Sequence, residues 1–355
     1  MPSLPPNRLG IGLGRASWFP IDVDIPRSNV HMLELGEETV ARESFIDVRM
    51  PADWSAAVRV PISDIIAANL QSPPCAWLWH TSFCGSTLLA RMLHLTPHAT
   101  CLREPLALRR LSDARAAGLD IGPALMAVTA LLCRPWHPHG RVLVKPTHAA
   151  LNIATDIMAA SPHARAIVLT SSLEDFVVSH LKKTSQTLEQ VPVLAARALR
   201  AGRLRARLPP AALDPPDILA ASALQWAAQR DLVMDLVRVV GEDRIRIVAF
   251  EELQRRPADI AVAAQRWLRL DLPEAALRRQ ADDLSNHHAK VPSRRYSPDE
   301  RRAENHMLAD LYREDIARTL AWATRLLLPY LDAESAGAGY ARLPIDVPLG
   351  GDRMQ

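Results

Sequence analysis

From residue 75 onward, short continuous apolar runs alternate with stretches whose apolar positions recur every three to four residues. The first run, residues 75–80, has strand character. Small residues follow it, and then residues 88–94 with helical spacing. Further strands are expected at 100–102, 141–145, 164–170 and 244–249. Helices are expected from 105, at 123–133, 149–160, 173–184 and 193–207, and from the Pro-rich break at 209–216 through 240. After 251 the pattern is helical throughout and closes on one long helix over 299–328. Short strands separated by helices predict an α/β fold: a parallel sheet covered by helices on both faces, with a helical C-terminal extension. Residues 1–70 are Pro-rich and then alternate weakly over 30–48, which predicts an irregular N-terminal segment with a strand or two packed on the main domain. That domain is expected over 71–332, with an irregular tail over 333–355; no repeat or low-complexity linker divides the chain.

Composition narrows the partners. The 355 residues are 48% hydrophobic and 23% charged, ordinary values for a chain with a substantial core. The net charge of +3 is too mild for a nucleic-acid partner and suits an anionic small substrate in a local basic pocket. No apolar run approaches the roughly 18–20 residues that span a bilayer, and residues 1–14 do not read as a secretory signal. Neither a membrane nor a nucleic acid is therefore expected as a partner. The four cysteines (Cys75, Cys84, Cys101, Cys133) show no CxxC pair and read as reduced thiols of a cytoplasmic protein. His137 with His139, and His287 with His288, lack Cys or carboxylate partners at ligand spacing, so no metal is expected. Only four of 42 basic residues are lysines: Lys145, Lys182, Lys183 and Lys290. In so Arg-rich a chain, a retained Lys can mark a place that needs a compact ammonium rather than a guanidinium, the plainer alternative being chance survival of four residues.

In parallel α/β folds ligands sit outside the carboxyl ends of the strands, and three segments carry chemistry there. The turn Thr81-Ser82-Phe83-Cys84-Gly85-Ser86-Thr87 has small residues whose amides can face an anion, and Ser86 and Thr87 add hydroxyls. The plainer alternative is a tight turn with a hydroxyl N-cap. The turn lacks GxxxxGK(S/T), which disfavours an ATP or GTP site with Mg²⁺. Lys145-Pro146-Thr147-His148 follows a strand; Lys145 can neutralise a transferring group and His148 can serve as a general base. In residues 169–183, Ser172 is a candidate N-cap with Asp175 three residues on. Ser179 and Lys182 at i,i+3 share a helix face that can hold a phosphate, unless this is simply a solvated basic helix end.

Together these segments resemble the sulfotransferases that use 3′-phosphoadenosine 5′-phosphosulfate (PAPS). Thr81 to Thr87 is similar to their 5′-phosphosulfate loop, KSGTT or RSGST. Residues 171–179 resemble their 3′-phosphate segment, an Arg followed eight positions later by Ser. Lys145 to His148 resembles their KTH motif with one residue inserted, and Val248-Ala249-Phe250-Glu251-Glu252-Leu253 resembles their RYEDL segment after the last strand. The resemblance covers about residues 75–255. It implies a P-loop-like nucleotide-binding fold with PAPS as co-substrate. The donor would be held by Thr81, Ser82, Cys84, Gly85, Ser86, Thr87, Ser171, Ser179, Lys182 and Lys183. Lys145 would support the leaving oxygen, and His148 or Glu104 would be the base toward a small hydroxyl or amine acceptor. Two departures stand out: Phe83 occupies the family's loop-cation position, and Ser171 that of its 3′-phosphate Arg. Two rival functions follow, a P-loop kinase-like phosphotransferase and a non-catalytic binding protein on a decayed sulfotransferase domain. The acceptor and the oligomeric state are not legible.

Overall fold

A computed structural model of the chain describes residues 12–71, 73–285, 298–331 and 342–343. Among the described residues, eight strands form two sheets. β1 (Trp18–Asp24), β2 (Asn29–Glu34) and β3 (Val58–Pro61) make an antiparallel sheet in that order. β4 (Ala76–His80), β5 (Ala99–Arg103), β6 (Arg141–Lys145), β7 (Ala166–Thr170) and β8 (Ile245–Ala249) make an all-parallel sheet in the order β5-β6-β4-β7-β8.

The side-chain period of two divides the parallel strands between two cores. Trp77 and Trp79 stack at 5.5 Å and join Val142, Val144, Ala166 and Val168 on one face. Leu78, Leu143, Ile167 and Leu169 point to the other. Burial on both faces explains why these strands read as continuous apolar runs rather than as alternating ones. The first core also takes in β1–β3 and the helices Leu106–Ala116, Gly122–Leu132 and Ile218–Val240. The second is closed by Ser86–Met92, Pro257–Leu268 and Glu274–Ser285. The expected α/β architecture with helices on both faces is thus present.

The order of the strands makes a crevice. The chain leaves β4 toward β5 on one side and leaves β7 toward β8 on the other. The carboxyl ends of β4 and β7 therefore flank a topological switch point, where α/β folds place ligands.

Several expectations need correction. The N-terminal segment contains three strands, because β3 lies beyond the stretch that alternates visibly. Residues 148–153 form a 3₁₀ turn before the helix Ala154–Ala160. The basic stretch of 193–207 is divided between Val191–Ala201 and Leu204–Arg207. The last helix breaks at Tyr312 into Pro298–Leu311 and Arg313–Leu326. No Gly or Pro marks that break. Arg313–Leu326 buries Ile316, Trp322 and Ala323, while the helix before it leaves Met307 and Leu311 exposed. Tertiary packing rather than local sequence decides the division.

The cysteine reading is also overturned in part. Cys75 and Cys133 form a disulfide, with Cα atoms 5.1 Å apart. Cys75 stands just before β4 and Cys133 caps the helix Gly122–Leu132. A separation of 58 residues hid this proximity. Cys84 and Cys101 are free thiols, buried, and pushed up to about 11 by that burial. Among the described residues no helix is long and apolar enough to cross a membrane.

Candidate functional site

The expected turn after β4 is there, and the helix Ser86–Met92 follows it. Its first half is tied inward. The Thr81 amide donates to the Leu169 carbonyl of β7 (2.9 Å), and the Ser82 amide donates to Gln229 Oε1 (3.0 Å). Ser82 Oγ also lies within reach of Gln229 Nε2 (3.1 Å) and Gln225 Nε2 (3.4 Å). Cys84 Sγ donates to the Thr81 carbonyl at 3.0 Å. Ser82 and Cys84 are therefore fixed parts of the loop's scaffold, and Cys84, held neutral by burial, is no nucleophile. Ser86 and Thr87 are buried at the helix start. Thr81 Oγ1 and Ser171 Oγ are buried with no hydrogen-bond partner in the protein. They stand at the ends of β4 and β7, on the two sides of the crevice.

Gly85 is also constrained by its own backbone and by packing. Its φ is +73°, and a Cβ there would lie 2.6 Å from the Phe250 ring. A left-handed backbone and close packing against Phe250 both demand the glycine here. Phe83 also has a left-handed backbone, at φ +59°. Its ring stands edge-on to His180 at 4.8 Å, and Lys183 Nζ lies 4.6 Å above it.

Lys145 ends β6 and is fully buried. Its Nζ donates to Glu104 Oε1 at 2.6 Å, and the Glu104 amide donates to the Lys145 carbonyl. Burial pushes the Glu104 carboxyl up, but the Lys145 charge and hydrogen bond outweigh it, and the net shift is downward. Glu104 is thus a carboxylate committed to a cation, with φ +52° and Arg49 at 3.8 Å. His148 is half-buried at the start of the 3₁₀ turn. With Asn152, Leu194, Arg197, Gln229 and Leu232 it lines a cleft beside the loop. Its ring is 6.2 Å from that of His80. The structure therefore gathers Lys145, Glu104, His148 and the loop at neighbouring strand ends.

The segment after β7 is differently furnished. Ser172 caps Leu173–Leu181 as expected, accepting from the Asp175 amide at 3.1 Å. Its own amide, however, donates to Glu251 Oε1 at 3.0 Å. Burial raises the pKa of Glu251, and the Ser172 amide opposes that rise. Ser179 is half-buried farther along this helix. Lys182 does not stand open toward a ligand: its Nζ pairs with Glu304 Oε2 at 2.5 Å. Lys290, His287 and His288 lie outside the described residues. His137 Nε2 meets Glu37 at 2.5 Å, and among the described residues no three His, Cys, Asp or Glu gather as a metal site would need.

With this geometry in place, the chain can be set against known proteins. No protein-family description matches it, and neither does any curated protein sequence. Among the solved structures that resemble it distantly are two sulfotransferases. One is a sulfotransferase from Alicyclobacillus acidocaldarius, at 17% identity with a TM-score of 0.37, covering 73% of this chain and 99% of that one. The other is the sulfotransferase domain from the curacin biosynthetic pathway, at 12% identity with a TM-score of 0.39, covering 72% and 99%.

Three contributors to the site escaped sequence reasoning. Gln225 and Gln229 sit at i,i+4 on an otherwise apolar stretch of the long helix, a spacing that could have flagged an inward polar pair. Arg49 approaches Glu104 from a loop and left no sequence signal. At the end of β4, nothing local told that both ring nitrogens of His80 would be engaged.

Proposed function

We propose that this chain is a sulfotransferase, moving a sulfuryl group from PAPS to the hydroxyl or amine of a small-molecule acceptor. One observation carries the reading: the four sequence segments that resemble sulfotransferase motifs all follow adjacent strands of one sheet, β6, β4, β7 and β8, at their carboxyl ends. Segments far apart in the chain then address one ligand. The orphaned hydroxyls of Thr81 and Ser171 suit a polar ligand in the crevice between β4 and β7.

The donor supplies an activated sulfur. An acceptor oxygen or nitrogen forms the new bond to it, the bond to the bridging phosphate oxygen breaks, and adenosine 3′,5′-bisphosphate leaves. Lys145, desolvated and preorganised by Glu104, faces the charge that develops on that leaving oxygen. His148, at the start of the turn after β6, takes the acceptor's proton. Glu104 is the poorer base, because its carboxylate is already committed to Lys145. Lys183, poised over Phe83, offers the loop a cation. Ser179 and Lys182 would take the 3′-phosphate once Lys182 parts from Glu304.

A second reading is favoured by that same pair. A protein whose Lys182 is neutralised by Glu304 and whose Ser172 amide is capped by Glu251 can be a non-catalytic member of this fold. Calorimetric titration with adenosine 3′,5′-bisphosphate, followed by transfer of labelled sulfuryl from PAPS to a panel of phenols, alcohols and amines, decides between them. Binding with transfer supports the enzyme, and binding without transfer supports the second reading. No binding refutes both.

A further inference from the structure

His80 ends β4 directly beneath the loop and is fully buried. Its Nδ1 lies 2.9 Å from the Thr81 carbonyl, and its Nε2 lies 2.8 Å from the Pro146 carbonyl. Carbonyl oxygens only accept, and a neutral imidazole has a single N–H. In the neutral ring one of these short contacts therefore sets a nitrogen lone pair against an oxygen lone pair. Only the imidazolium, with two N–H groups, makes both hydrogen bonds. The geometry is thus built for the charged ring.

The surroundings oppose the charge. Burial comes first, then Lys145 on β6 and His148 on the turn after it. Together they hold His80 well below the usual histidine range, although both carbonyls favour the proton. The other neighbours do little. Glu104, directly after β5, is spent on Lys145, the Cys84 thiol of the loop stays neutral, and Leu169 and Thr170 on β7 carry no charge. A ring geometrically prepared for a proton but electrostatically denied it lacks one thing, a negative charge nearby.

We infer that His80 takes up a proton when the anionic end of the donor occupies the loop, and that the resulting imidazolium, donating to both carbonyls, is a positioning residue that locks the ends of β4 and β6 around the bound anion. This rests on the nucleotide reading above. The sign follows directly. A group more protonated in the complex than in the free protein makes binding tighter as pH falls. Affinity therefore declines with rising pH across the interval between the free and bound pKa values. Each unit by which the complex raises that pKa corresponds to tenfold in affinity.

The test is titration with adenosine 3′,5′-bisphosphate at pH 7 to 8.5, above the roughly pH 6 ionisation of the ligand's phosphates. Calorimetry in buffers of different ionisation enthalpy counts the protons. Nitrogen-15 spectra of the histidine rings identify the ring that takes them up. Wild-type protein should take up a proton fraction that falls with pH, and one buried ring should change from a neutral tautomer to imidazolium. His80→Asn, which keeps one donor, should bind about tenfold or more weakly at pH 7 and lose both the uptake and that ring signal. Binding without uptake, or an imidazolium already present in the free protein, overturns the inference and leaves the nucleotide reading intact. Failure of wild-type protein to bind overturns both. If His80→Asn does not fold, uptake and ring signals in the wild type still decide.

Discussion

Removing Glu104 tests whether Lys145 is truly held as a buried charge. The Lys145 side chain is 0% exposed and that of Glu104 15%, with the ion pair at 2.6 Å. Unit charges about 4 Å apart attract by about 4 kcal/mol at an effective dielectric constant near 20. Stranding one partner of a buried pair costs about 3–5 kcal/mol. Glu104→Ala should therefore destabilise the protein by about 3–5 kcal/mol. The backbone adds a second, separable effect. At φ +52° a non-glycine residue carries about 1–2 kcal/mol of strain, so Glu104→Gly should be about 1 kcal/mol less harmful than Glu104→Ala, despite the same lost carboxylate. Converting both partners together, Glu104→Leu with Lys145→Met, should restore most of the stability while abolishing transfer. Urea unfolding with an unchanged m-value measures all three. The Glu104 pKa is depressed from an ordinary value of 4.5, so its contribution is complete above that pH and is lost as pH falls through the lower, folded value. A cost below about 1 kcal/mol for Glu104→Ala, or equal losses for the Ala and Gly variants, would refute the desolvated-pair and strain arguments respectively.

Three further outcomes are expected. Gly85→Ala should cost about 1–3 kcal/mol, because its Cβ meets Phe250 at 2.6 Å, and adding Phe250→Leu should recover part of it; wild-type thermal stability in the single variant would disprove the packing role. Glu304→Ala frees Lys182 and should tighten adenosine 3′,5′-bisphosphate more than adenosine 5′-phosphate, while Lys182→Ala should do the reverse; equal effects on both ligands would show that this helix does not read the 3′ end. His148→Ala should lower kcat by roughly 10²–10⁴ and remove the acidic limb of the pH–rate profile. A near-normal profile would instead send the base to Glu104.

The sequence by itself determined the parallel sheet and which segments stand at the ends of its strands. Residues 141–145 form the expected strand with its expected ends, and the long helix closes at Val240 as read. Doubly buried strands and amphipathic helices write their burial into local composition, so periodicity suffices for both. The N-cap at Ser172 was legible for the same reason, since a cap is a contact three residues long. What only the tertiary structure decided are partnerships across long sequence separations. Cys75 found Cys133, and Lys182 found Glu304. Gly85 proved to be a glycine because of Phe250, and Ser82 was claimed by Gln229. Each of these depends on which surfaces the packed helices bring together, which no local pattern encodes. The same holds for charge: Lys145 as a letter is a cation, but its full burial against Glu104, near enough to His80 to lower that ring's pKa, is decided by packing alone.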